Sequence, residues 1–198
     1  MSNEPRDWFY RLLRWFTRAL FKGTPVLLVL TLAHPAAAQG SADFGATGQS
    51  AVNAFDGMFT PRLELPAADR KYAEWSSDIT VAASLAADTW WSWKQPHRRA
   101  AFACQGLRDG SIILISEIVK RLVKRARPPG AAASGYSFWS EHTALTAGAT
   151  GGYGIGFVLP ISLGTAAGRI SGGDHWASDT LVGGAFGSLV GHYTRGCK

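Results

Sequence analysis

From residue 71 onward, apolar positions recur at intervals of three and four, the spacing that lines one face of an α-helix. Ser77–Trp93 is one predicted helix, with Asp78 near its start and Pro96 just past its end. His97–Arg125 is the next, with Ile112, Ile113, Leu114, Ile115, Ile118 and Val119 on a buried face. It is expected to stop at Arg127-Pro128, because the residue before a proline is pushed out of the α region. Ala131–Phe138 reads as loop. His142–Thr150 and Ile155–Ala167 are two short helices around Gly151-Gly152-Tyr153-Gly154, and His175–Tyr193 is the last helix. Gly183, Gly184, Gly187 and Gly191 lie along that last helix. Each costs about 1 kcal/mol there against alanine, so their number predicts close helix–helix packing. No alternating strand pattern occurs at any length, and the expected fold is an all-α helical bundle.

The 198 residues suffice for one domain. Residues 39–70, rich in Gly, Ala, Ser and Pro, read as a linker with one short helix near Ser50–Phe59, which leaves 71–198 as the domain. Residues 1–38 read as an export signal with a long basic n-region. Lys22-Gly23 closes a cationic stretch, the apolar run Pro25–Ala33 follows, and Ala36-Ala37-Ala38 is a small-residue cleavage site. The amphipathic stretch Trp8–Phe21, with Arg11, Arg14 and Arg18 at helical spacing, also fits an interfacial helix.

The net charge of +6 changes the picture little. Half of it lies in residues 1–38, and no basic stripe outside Lys120–Arg127 argues for nucleic acid. Cys104 and Cys197 would both enter an oxidising compartment, where a bridge between them is one outcome. They have neither the spacing nor the partners of a metal site.

The apolar helices raise the question of a membrane bundle. Only 26 residues separate His142 from Arg169. Out and back, that allows about 20 Å each way, against a hydrocarbon core of about 30 Å. Asp78, Asp88, Arg108 and Asp109 would also be costly in lipid. A soluble or peripherally attached exported domain is expected. Trp75, Trp90, Trp91, Trp93, Trp139 and Trp176 would line a lipid-facing mouth or, as large aromatics more often do, fill the core.

Three clusters carry candidate chemistry. Lys120 and Arg127-Pro128 are separated by six residues. On a helix the two cations would share a face, with Arg121, Lys124 and Arg125 pointing elsewhere, to solvent or anionic head groups. Ser140-Glu141-His142-Thr143 looks like a helix start: Ser140 as N-cap, the N–H groups of Glu141 and His142 aimed at an anion, and His142 placed to protonate a leaving group. Arg169 is followed by Gly172-Gly173, then His175 and Asp179. Four apart on a helix, His175 and Asp179 would touch; the carboxylate would fix the imidazole tautomer and leave Nε2 as nucleophile.

In order and internal spacing these clusters resemble the tripartite signature of the type-2 phosphatidic acid phosphatase and vanadium haloperoxidase superfamily. That pattern is a Lys and an Arg-Pro six residues apart, then Pro-Ser-Gly-His, then Ser-Arg, five residues, His, three residues, Asp. The resemblance covers about residues 75–195 and keeps every ionisable member. It implies a bundle of the superfamily's kind and a phosphoric ester hydrolase, an acid-type phosphatase acting on a phosphomonoester or lipid phosphate. His175 would form a phosphohistidine, His142 would be general acid, and Asp179 would orient His175. Lys120, Arg127, Ser140, the Glu141 backbone and Arg169 would hold the phosphate oxygens. The resemblance implies no metal or other cofactor. The export signal leads to the expectation of a periplasmic or peripherally membrane-associated location, with a membrane surface as a candidate partner and no indication of oligomeric state. Trp139, Glu141 and Gly168 depart from the pattern's Pro, Gly and Ser. The alternatives are a vanadate-loaded haloperoxidase built on the same residues, and a non-catalytic envelope protein that binds anionic lipid.

Overall fold

The computed structural model describes residues 52–60, 65–131, 134–151 and 155–194. The export segment, part of the stretch read as linker, Gly152–Gly154 and Cys197 lie outside them. The described residues form helices and loops without a strand: α1 (52–60), α2 (Ala67–Lys94), α3 (Arg98–Val123), α4 (Glu141–Thr150), α5 (Ile155–Ser171) and α6 (Ala177–Tyr193).

Several boundaries differ from the sequence reading, each for a local reason. α2 starts ten residues earlier than expected: Pro66 sets its entry and Asp69 lies in its first turn, where a carboxylate suits the helix dipole. α3 ends at Val123, short of the proline, because Lys124 takes the left-handed conformation (φ 52°) and its N–H closes the helix on the Lys120 carbonyl at 2.9 Å. α6 begins at Ala177, which leaves His175 in the preceding loop.

The stretch read as linker carries α1, and α1 caps α6. Ala177 N–H donates to Thr60 Oγ1 at 3.1 Å, and Ser178 N–H donates to Asp56 Oδ1 at 2.8 Å. These two donors have no acceptor within their own helix. The compact unit accordingly runs from Ala51, not from residue 71.

α4 is the centre of the bundle, with Thr143–Thr150 all buried and α2, α3, α5 and α6 packed around it. Its closest neighbour is α6, and glycine sets the distance. Gly183, Gly187 and Gly191, four apart on α6, face the carbonyls of Ser140, Ala144 and Gly148, four apart along α4. A Cβ on these glycines would lie 2.3, 2.0 and 2.5 Å from those oxygens. Backbone therefore meets backbone along the whole seam.

Polarity across α2 and α3 is reversed from that of a water-soluble bundle. The buried positions of α2 are Ala73, Ser77, Ser84, Asp88 and Ser92; those of α3 include Arg108 and Ser116 beside Ala101, Cys104, Ile112 and Val119. Arg108 donates to Asp88 at 2.9 Å in the interior. Trp75, Ile79, Trp90, Trp91 and Trp93 of α2, and Leu107, Ile113, Leu114, Ile118 and Leu122 of α3, lie exposed. The expected buried face of α3 is thus half right, since Ile112 and Val119 face in while Ile113, Leu114 and Ile118 face out. Of the tryptophans, Trp139 is core, Trp176 is half-buried, and Trp75, Trp90, Trp91 and Trp93 are on the surface.

Gly187→Ala is expected to destabilise the protein by about 3 kcal/mol, because the added methyl meets a backbone carbonyl that cannot turn away. Gly184→Ala, whose nearest neighbour is the Thr143 methyl at 3.4 Å, is expected to be neutral or to gain up to about 1 kcal/mol from helix propensity. Urea denaturation midpoints of the two variants measure the contrast.

Candidate active site

The early end of α3 re-aims the first cluster. Past Lys124 the chain leaves the helix and burial alternates along it: Lys124 and Ala126 face out, while Arg125 and Arg127 turn inward. Lys120 and Arg127 therefore do not share a helical face. Lys120 holds its ammonium between Glu117 Oε1 at 3.0 Å and Glu141 Oε2 at 3.2 Å. Glu141 thereby turns its carboxylate toward Lys120.

Arg125, expected to meet solvent or head groups, is instead a structural clamp. It donates to Asp179 Oδ1 at 2.6 Å, to Ser178 Oγ at 2.7 Å and to Asp56 Oδ2, with its guanidinium over the Trp176 ring. Arg127 reaches the third cluster, donating from one terminal nitrogen to the Asp174 carbonyl at 2.8 Å.

That third cluster is a tight turn. Gly173 sits at φ +78°, and the N–H groups of Asp174 and His175 both donate to the Arg169 carbonyl, at 3.1 and 3.3 Å. The chain so folds back over Arg169, whose outer nitrogen meets Asp174 Oδ2 at 2.6 Å. His175 is buried at the base of this turn. Asp179, in the first turn of α6, accepts the Trp176 N–H at 3.1 Å and places Oδ2 3.7 Å from His175 Nδ1. The carboxylate is thus beside the imidazole but not hydrogen-bonded to it.

The second cluster starts α4 as expected. Ser140 caps it, its Oγ accepting from Thr143 N–H at 3.4 Å, and the first intrahelical bond is Ala144 N–H to Ser140 at 3.1 Å. The N–H groups of Glu141 and His142 precede that bond and belong to the free donors of a helix start. Ser140 N–H itself donates to the Asp179 carbonyl at 3.0 Å, which ties the α4 start to the α6 start. His142 Nε2 lies 3.0 Å from Asp78 Oδ1, and the same oxygen lies 3.6 Å from Arg169. Trp139, in the place of the pattern's Pro, packs on Phe186 and donates its indole N–H to Ser116 at 2.7 Å.

Arg127, Arg169, His142, His175 and Asp179 therefore converge, and Lys120 is tied to the residue next to His142 through Glu141. Burial, opposed by the Asp179 carboxylate and reinforced by Arg169 and Arg127, pushes the His175 pKa down. Burial and the Arg169 charge hold His142 at about 4, against the opposing pull of Asp78, with His175 pushing further down. Burial also lowers the pKa of Arg127, partly offset by Asp174. Four buried polar atoms of this group have no hydrogen-bond partner: Arg127 Nε, Arg169 Nε, Asp174 Oδ1 and His175 Nδ1. An unpaired buried polar group costs about 1–3 kcal/mol, and two guanidinium N–H groups beside an imidazole offer what a phosphoryl oxygen requires.

Asp56, Asp78, Asp174 and Arg125 are the residues that sequence reasoning missed. Asp174 is adjacent to His175 and was within sight; Asp56 and Asp78 reach the site only through the packing of α1 and α2. Gly168 has a physical reason. A Cβ there would lie 2.8 Å from the Ala73 carbonyl oxygen and 2.9 Å from Ser77 Cβ, so the serine of the pattern does not fit.

An all-α bundle in which two guanidinium groups and two imidazoles come together is the class that fold and site define. Among solved structures, the chain is similar to a transmembrane PAP2-type phosphatidylglycerolphosphate phosphatase from Bacillus subtilis, with a TM-score of 0.57 at 20% sequence identity, over 86% of this chain and 92% of that one. The likeness shows that the chain shares the fold of that phosphatase. No protein-family model and no curated protein matches the chain.

Both imidazoles titrate below their ordinary value when folded, so the unfolded chain takes up their protons first as pH falls. Their contribution to stability is full above about 6.5 and is lost on acidification, for His142 as pH falls toward about 4. Urea midpoints compared at pH 7 and pH 4.5 are expected to fall with acidification, and His142→Gln is expected to flatten that fall.

Proposed function

We propose that this protein is a phosphatase that cleaves a phosphomonoester carried by a lipid, through a phosphohistidine on His175. The observation that carries the reading is the pair of buried, partnerless Nε–H groups of Arg127 and Arg169 beside the buried His175 imidazole. Cations that are fixed before substrate arrives need no reorganisation as charge builds on the phosphoryl oxygens. The first-turn N–H groups of Glu141 and His142 add donors at the same site.

In the proposed reaction, His175 Nε2 attacks phosphorus and the bond to the alkoxide oxygen breaks. His142 gives its proton to that oxygen. Water then attacks the phosphohistidine, returns a proton to His142 and releases inorganic phosphate. Asp179, its other oxygen held by Arg125, supports the imidazolium that forms when His175 shares its lone pair. In the free enzyme the charge of Lys120 is answered by Glu117 and Glu141. The cations in this scheme are side chains, and chelators are expected to leave turnover intact.

The lipid part of the reading rests on the outer faces of α2 and α3. No helix among the described residues is long and apolar enough to cross a membrane. Exposed Trp90, Trp91 and Trp93 nonetheless stand beside Lys94 and Arg98, which lie over the Trp90 and Trp93 rings. Indoles interleaved with cations suit the border between hydrocarbon and headgroups. The Bacillus protein's phosphatidylglycerolphosphate is a lipid phosphomonoester of this class. An export signal would place the site on the outer side of the membrane, in a periplasm.

Phosphate release from phosphatidic acid in mixed micelles and from p-nitrophenyl phosphate, both in EDTA, tests the proposal. His175→Ala is expected to lower turnover at least about a thousandfold. Acid-labile but base-stable 32P on the protein, absent from the variant, would mark the intermediate. Hydrolysis that survives the substitution sinks the mechanism. Separately, the full chain is expected to sediment with phosphatidylglycerol vesicles, and Trp90→Ser with Trp93→Ser is expected to weaken that binding severalfold.

A further inference from the structure

The three clusters account for the cations and imidazoles that converge but leave the carboxylate that meets His142 unexplained. Asp78 belongs to none of them. It stands on α2, about half exposed at 53%, with Oδ1 3.0 Å from His142 Nε2 and 3.6 Å from the Arg169 guanidinium. The other terminal nitrogen of Arg169 is already held by Asp174.

Resting on the phosphatase reading above, we propose that Asp78 is the positioning residue of the general acid: it holds one ring nitrogen of His142 so that the other faces the leaving oxygen, and it stabilises the imidazolium before the proton is passed on. The balance is simple. Protonated His142 carries an N–H on each nitrogen. The one on Nε2 stays with Asp78, and the other goes to the alkoxide as the phosphorus–oxygen bond breaks. The water of the second step returns a proton to the same nitrogen. Asp78 thus serves His142 as a carboxylate serves the base of a catalytic triad, with the roles shifted to the acid.

The departure of Gly168 from the family pattern belongs to the same arrangement. Ala73 and Ser77 of α2 press on Gly168 so closely that a Cβ there would meet both. One residue further along each helix, Asp78 meets Arg169. The glycine removes a hydroxyl beside Arg169 and admits α2 in its place, and α2 brings the carboxylate. The charged groups bearing on His142 from its neighbours are Asp78 from α2, Arg169 from α5 and His175 from the turn before α6. Asp78 is the one of these that favours the protonated form.

Leaving-group dependence tests this. Phenoxide is a poor leaving group that needs its proton; p-nitrophenoxide is a good one that hardly does. In Asp78→Asn, kcat is expected to fall about tenfold on phenyl phosphate and less than about twofold on p-nitrophenyl phosphate. KM and the inhibition constant for vanadate should not rise, because a negative charge has been removed from an anion site. Asp78→Glu should recover part of the loss, and Asp78→Asn should add nothing once His142 is Asn. Equal losses on both substrates, a raised KM, or additive effects in the double variant overturn the proposal while the phosphatase reading stands. An unsubstituted protein that hydrolyses neither ester overturns both.

Discussion

The glycine seam between α4 and α6 is the constraint on which the site depends. Three glycines four residues apart let the α6 backbone lie directly on the α4 carbonyls. Only at that distance does Ser140 N–H reach the Asp179 carbonyl, 3.0 Å away, and join the two helix starts. His142 stands two residues after the first of these anchors and His175 four before the second. The imidazoles are therefore brought together by backbone contact between the two helices that carry or follow them. The seam explains why α6 tolerates so many residues that would weaken an isolated helix.

A second layer of order comes from carboxylates that hold the cations. Arg125 is bound by Asp179 and Asp56, Arg169 by Asp174 and Asp78, and Lys120 by Glu117 and Glu141. Buried guanidinium groups need such partners, since the desolvation of an unpaired charge costs several kcal/mol. Pairing also fixes the side chains in place. The unpaired Nε of Arg127 and Arg169 are then the donors left over, and both guanidinium groups bear on the buried His175 imidazole. The same pairing takes Arg125 out of the binding set, although in sequence it stands between two residues of the expected phosphate site.

Outside this polar centre the bundle shows apolar faces. Serines bury themselves by donating to their own helix, as Ser77 does to the Glu74 carbonyl and Ser84 to the Thr80 carbonyl, both at 2.7 Å. Interior polarity of this kind frees leucine, isoleucine and tryptophan for the surface. Periodicity marks two faces on such a helix but does not say which of them turns inward. That is why the tryptophans of α2 read as either core or lipid-facing in the sequence, and the structure leaves them exposed.

The sequence by itself determined the helical class, the approximate extent of most helices, and the three clusters that carry the titratable groups. Those are local properties, set by apolar spacing, by proline and glycine, and by the order of residue types. Tertiary structure decided the rest. Lys124 adopts a left-handed backbone, and this moved Arg125 and Arg127 off the helical face into a stretch along which burial alternates. α1, in a stretch with no sustained period, delivered Asp56 to Arg125 across 69 residues of chain. Asp78 met His142 only because Gly168 let α2 close on α5. Each of these depends on a distance between segments remote in sequence, and no local pattern of residues encodes such a distance.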